Sequence, residues 1–192
     1  MRGIRSFVGM LVVCLVALTA ARVEAQAFNL TPAQKAALAA DVQADQAAKA
    51  LYDGGDMGAL ATYYNQDASP DFWVWRTAVA ESDYTGLVSP DGTTWSWTTY
   101  INRSQAERDG WARLFASSYG YTNPSQLNVR QGVADIFSGA GGAAQRTHLL
   151  AMSRRKATRF EKVFATGTGS TLSPATLVLE GNVDYLVFTS LP

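Results

Sequence analysis

The sequence predicts an α+β fold, mostly α: a helical domain of about five helices with a short central strand and a C-terminal β-hairpin. Three observations carry this. Apolar residues recur at helical intervals through much of the chain, cap signals precede several of those stretches, and Gly181-Asn182 divides two runs rich in branched and aromatic residues.

In chain order, Thr31, Pro32 and Gln34 supply an N-cap, a proline at the first helical position and a reciprocal glutamine, so a helix starts there and runs to about Asp53 before Gly54-Gly55. A shorter helix follows from Asp56 through Tyr64. Phe72 to Val79 is rich in aromatic and β-branched residues and reads as the central strand. Residues 82–94 read as a polar loop around Ser89-Pro90-Asp91-Gly92. Tyr100, Ile101, Ser104, Arg108, Trp111, Leu114 and Phe115 share one helical face, which predicts a third helix. Asn123 and Pro124 signal a fourth, ended by Ser138 to Gly142. That glycine cluster follows a helix and lacks phosphate-loop spacing, so it reads as a connector. A helix over 143–156 places Arg154, Arg155 and Lys156 in its last turn, where cations offset the helix dipole. Thr158 and Glu161 form a capping box for a short final helix. The hairpin then takes Ala175–Glu180 and Val183–Phe188 as its strands.

Residues 1–26 form a leader, and 27–192 read as a single globular domain whose closing module spans 157–191. The leader has Arg2 and Arg5, an apolar run from Phe7 to about Ala21, and small-residue cleavage sites near Ala25 and Ala27, as a secretory signal does. Its apolar run falls short of the ~20 residues of a spanning helix, so no permanent membrane anchor is expected. A start codon placed too far upstream explains the same leader, and both readings stand. The only cysteine, Cys14, lies within it, which excludes a disulfide framework or thiol chemistry in the remaining chain.

The net formal charge is zero, and without residues 1–26 the chain keeps 13 basic against 15 acidic side chains, giving no electrostatic case for nucleic acid. The charges are unevenly placed: residues 27–100 hold 9 acidic and 3 basic side chains, 101–192 hold 6 and 10. Head-to-tail packing between copies, attraction to a charged partner or two interlocked halves of one monomer would each go with this. Trp73 and Trp75, with Trp95 and Trp97, suit a carbohydrate or base-stacking platform, but aromatics more often build cores and subunit interfaces. The basic run Arg154-Arg155-Lys156 suits nucleic acid, an acidic partner or a helix terminus. His148, the only histidine, lacks a metal or triad pattern and is expected to be on the surface or hydrogen-bonded. Asp71, Glu81 and Asp83 are the remaining candidates for a carboxylate pair, without a recognisable pattern. No catalytic residue, cofactor, metal or small-molecule ligand is expected.

The runs ATRFEKVFATGTG (157–169) and SPATLVLEG (173–181) resemble a family of small, largely uncharacterised proteins encoded in the structural-gene region of tailed bacteriophages and prophages. NLTPAQ (29–34), FWVWRT (72–77) and AGGA (140–143) add shorter likenesses, so the resemblance covers roughly Phe28 to Leu191. The leader departs from it. The resemblance implies a non-enzymatic virion structural or morphogenesis protein near the head–tail joint, present in the virion and in the host cytoplasm during assembly, with other virion proteins or copies of itself as partners. It brings no catalytic residues. The expected interaction surface comprises Trp73, Trp75, Arg154, Arg155, Lys156 and the hairpin residues Val183, Tyr185 and Val187, whose strand edge would receive a neighbouring subunit. The leader and the paired tryptophans motivate the alternative of an exported, periplasmic binding domain. An enzyme is the weakest reading.

Overall fold

The capping box at Thr31 forms as the sequence predicts: the Thr31 hydroxyl accepts the Gln34 backbone N–H, and the Gln34 side chain accepts the Thr31 N–H at 2.9 Å. The computed structural model describes residues 28–116 and 120–192; the leader and Cys14 lie outside the described residues. Helix α1 spans Pro32–Ala44 and stops short of the expected Asp53. Asp45 is the cause. Its backbone turns extended and its Oδ1 accepts the N–H groups of Ala47 and Ala48 at 2.9 and 3.1 Å, starting a separate helix α2, Gln46–Asp53. An aspartate inside a helical run thus competes with the backbone ladder and wins. Asp56 caps α3, Met57–Tyr64.

Strand β1, Trp73–Trp75, is shorter than the predicted run, and a second strand β2, Val79–Ala80, follows. Helix α4, Glu81–Gly86, occupies the start of the stretch expected to be loop, anchored by the buried Tyr84. The predicted third helix divides into α5, Trp97–Ile101, and α6, Gln105–Phe115, because Ser104 and Glu107 form a capping box of their own. Strand β3, Tyr121–Thr122, pairs antiparallel with β2. Helix α7 covers Leu127–Ile136; Asn123 sits before it in a turn, accepting the Ser125 N–H, rather than capping it. A single 3-10 turn at Ala140–Gly142 leads into α8, Ala143–Met152. A Cβ at Gly142 would fall on the Phe137 carbonyl, well inside van der Waals contact and against backbone that has no rotamer to change. Gly142→Ala is therefore expected to destabilise the chain by about 3 kcal/mol, the upper end of overpacking costs, read as a lowered urea midpoint.

The basic run corrects one expectation. It is not the last turn of a helix but strand β4, Arg154–Lys156, antiparallel to β1 in the register Trp73 with Lys156 and Trp75 with Arg154. The Thr158 capping box forms and starts α9, Arg159–Phe164.

The hairpin is the second correction. Ala175 bridges to β1, donating to the Trp73 carbonyl at 2.8 Å and accepting from Trp75 at 2.9 Å, and Thr176 exchanges two bonds with Thr166. Beyond Gly181-Asn182 the chain turns into helix α10, Tyr185–Thr189. Asn65 is one reason. Its amide grips Val183 at both backbone groups, donating to the carbonyl at 3.0 Å and accepting the N–H at 2.8 Å, so the groups that a facing strand would need are taken. Asp184 then caps the helix, and Val183, Val187 and Phe188, at helical spacing, bury together.

The fold is α+β and mostly α, with about half of the described residues helical. Its apolar interior has two large parts. One joins Leu38, Val42, Leu60 and Tyr64 to Phe160, Phe164, Val187 and Phe188. The other joins Tyr84, Trp95, Trp111 and Phe115 to Ile136, Phe137, Leu149 and Met152. Val74, Ala157 and Ala175 make a small third cluster at β1. No helix among the described residues is long and apolar enough to cross a membrane.

Candidate functional site

The two groups of residues that the sequence singles out separately, the tryptophans and the basic run, lie side by side in the β1–β4 ribbon. Pairing leaves the ribbon little free charge. Arg154, 9% exposed, forms a bidentate pair with Asp91 at 2.6 and 2.8 Å, donates to the Thr171 carbonyl and lies over the Trp73 ring at 5.4 Å. Arg155 grips both oxygens of Glu161 at 2.7 Å and reaches Glu180 at 3.0 Å. Lys156 pairs with Asp71 at 2.9 Å. Arg130 lies 4.4 Å over Trp75. The ribbon is an internally neutralised clasp.

These pairs also account for much of the charge polarity along the chain. Arg154 with Asp91, Lys156 with Asp71 and Arg159 with Asp45 each join the basic half to the acidic half. Of the expected hairpin surface, Val183 and Val187 are buried and unavailable to a partner; Tyr185 is half exposed on α10.

The three candidate carboxylates do not converge on one another. Asp71 holds Lys156, Glu81 accepts the Trp111 indole N–H at 2.7 Å, and Asp83 pairs with Arg76 at 3.0 Å. His148 is hydrogen-bonded and fully buried, with Nε2 2.7 Å from the Tyr84 carbonyl and Nδ1 3.3 Å from the Thr93 hydroxyl. With one ring nitrogen facing a carbonyl, it donates through Nε2 and fastens α8 to α4. Among the described residues no three His, Cys, Asp or Glu side chains group as metal ligands.

A cleft that the sequence reading does not anticipate lies between α1, α3 and α9. Asp41, Ala44, Asp45, Tyr63, Tyr64, Ala68, Ser69, Arg159 and Lys162 line a cavity of about 260 Å³. Helical spacing puts Asp41 and Asp45 one turn apart on α1 and its cap, and Arg159 and Lys162 one turn apart on α9. Two tyrosines close the back wall, Tyr63 donating to Asp45 at 2.6 Å and Tyr64 to Asp41 at 2.7 Å. Arg159 stacks 4.2 Å over the Tyr63 ring and stands 3.7 Å from Asp45.

The electrostatics follow from these contacts. The Tyr63 hydrogen bond, helped by the N–H groups of Ala48 and Ala47 and the Arg159 charge, outweighs burial and holds the Asp45 carboxyl below its ordinary range. Burial first, and the facing carboxylate second, push the Tyr63 and Tyr64 hydroxyls up, Tyr64 far more. Both therefore act as hydrogen-bond donors at neutral pH and neither as a proton acceptor. The i,i+4 aspartates and the adjacent tyrosines are visible in the sequence, but nothing in it points toward α9. Comparison with protein families, with curated proteins and with solved structures finds no match to this chain.

Proposed function

We propose that this chain is a non-enzymatic structural or morphogenesis protein of a tailed-bacteriophage or prophage virion, working near the head–tail joint through contacts with other virion proteins or copies of itself. Support comes from the motifs at 157–169 and 173–181 and from one structural observation, the open face of α5. Trp97 and Ile101, four residues apart, are 58% and 64% exposed, although Trp95 just before them is buried in the second core. Trp97 packs edge-on against Trp95 at 5.6 Å, so its ring is fixed in place while much of it remains open. A rigid, exposed tryptophan beside a branched aliphatic residue has the chemistry of a protein contact.

The test is particle composition. Mass spectrometry of purified particles from an induced lysogen should find the chain, and the double variant Trp97→Ser/Ile101→Ser should be lost from particles while remaining folded, with a stability loss of about 0.5–1.5 kcal/mol from the aromatic pair with Trp95. Particles that lack the wild-type chain, or that carry the variant undiminished, would refute the assignment. The alternative, an exported binding domain, draws on the mixed-charge cleft. N-terminal sequencing of the natural product separates the two readings, because a chain beginning at Gln26 or Phe28 after export contradicts assembly in the cytoplasm.

A further inference from the structure

We propose that the cleft between α1, α3 and α9 binds a small zwitterion of the free α-amino acid class, with Asp41 receiving the ammonium group and Lys162 and Arg159 the carboxylate. Four charged groups line the cleft, and one of them, Asp45, is already satisfied by the fold. Asp45 spends Oδ1 on the first turn of α2 and Oδ2 on Tyr63, with Arg159 3.7 Å away. Arg159 stacks on Tyr63, but among the described residues its guanidinium donates no hydrogen bond and its buried Nε has no partner. Asp41 and Lys162 are unmatched as well. Asp41 accepts one hydrogen bond, from Tyr64 to Oδ2, and Lys162 contacts the Phe72 ring at 6.0 Å. Among the described residues neither Asp41 nor Lys162 makes an ion pair, with each other or with any other group.

An unmatched carboxylate and an unmatched ammonium therefore face one cavity without closing it. A simple anion would meet Asp41 and Asp45, and a simple cation would meet Lys162 and Arg159, so each is opposed by half of the wall. A ligand carrying both signs is opposed by neither. It would make charge-assisted hydrogen bonds at both ends, the stronger kind. Size narrows the class: about 260 Å³ lies below the ~300–1,000 Å³ of pockets that enclose drug-sized ligands. Ala44 and Ala68 supply the small apolar part of the wall, room for a short side chain. This inference is independent of where the protein works, because it uses no residue of the α5 face.

The test is a titration followed by NMR shifts or heat, with glycine, L-alanine and L-serine as probes beside N-acetyl-L-alanine, L-alaninamide and glucose. At least one free amino acid should saturate with Kd near 1 mM or tighter, and each blocked derivative of a binder should bind at least about tenfold more weakly. Asp41→Asn and Lys162→Gln should each weaken the free amino acid by about tenfold or more, while Asp41→Asn does not weaken N-acetyl-L-alanine, an anion that the Asp41 charge opposes. Both side chains are exposed, and an unchanged thermal melt verifies that the variants are folded. The proposal is overturned if no free amino acid saturates into the tens of millimolar, if blocked and free forms bind alike, if glucose binds best, or if the folded variants bind as the wild type does.

Discussion

Glu161→Ala is expected to cost about 3–5 kcal/mol, the range for removing one partner of a buried ion pair, and to appear as a large fall in the urea midpoint. Glu161 is 2% exposed and ties three parts of the chain together. Its Oε2 completes the capping box by accepting the Thr158 N–H at 3.0 Å, both oxygens hold Arg155 of β4, and Oε1 accepts the Gly181 N–H at 2.9 Å. Alanine leaves Arg155 with only Glu180 and the Lys156 carbonyl, and strips two backbone donors of their acceptor. A loss below about 1 kcal/mol, the level of a surface pair, would contradict this account.

The same residue sets a pH dependence. Burial works against the Glu161 charge, but Arg155 and the N–H groups of Thr158 and Gly181 outweigh it and hold the carboxyl below its ordinary value of 4.5. A carboxyl lowered by folding contributes stability that is complete above its unfolded value and disappears as pH falls through the folded one. The melting temperature should therefore drop as pH falls below about 4.5. Glu161→Gln should drop less steeply, though Asp45 and Glu107, also lowered, keep part of the slope.

What the sequence revealed was local, and what it hid was long-range. Thr31 with Gln34 and Thr158 with Glu161 were legible because each cap closes within four residues. The break at Asp45 and the division of α5 from α6 were not, since a polar side chain in a helical run either faces solvent or captures the backbone, and periodicity does not say which. The hairpin expectation failed on a partner far away in sequence. Asn65 takes the backbone of Val183, and the branched residues that suit a strand also suit the helical face of α10. Trp73 and Lys156 were each singled out, yet their pairing depends on a ribbon that joins positions more than eighty residues apart. The cleft is the extreme case. Its carboxylates and cations come from both ends of the chain, and only α9 docking beside α1 makes them neighbours.

Trp111→Ala is expected to be as damaging as the loss of Glu161, and by a different route. Trp111 is 1% exposed at the middle of the second core, with ring centroids of Phe115, Trp95, Tyr84 and Phe137 at 4.9, 5.1, 5.8 and 5.8 Å. Truncation opens a cavity among rings held by α4, the segment before α5, α6 itself and the end of α7, so collapse is hindered and a cost of about 3–5 kcal/mol follows. It also removes the indole donor of Glu81. Trp111→Phe keeps most of the packing and loses that bond, and should cost about 1–3 kcal/mol, the penalty of an unsatisfied polar group. The pair with Glu161 then examines whether the two cores fold as one. They meet through the β1–β4 ribbon, where β4 leads from α8 of the second core to α9 of the first and Val74, Ala157 and Ala175 are buried together. One urea transition, monitored by both fluorescence and circular dichroism, should persist in each variant, and the two costs should add to within about 0.5 kcal/mol, as for distant sites in a single cooperative unit. A separate early transition in Trp111→Ala, with Glu161-dependent stability unchanged in the later one, would show two independent folding units instead.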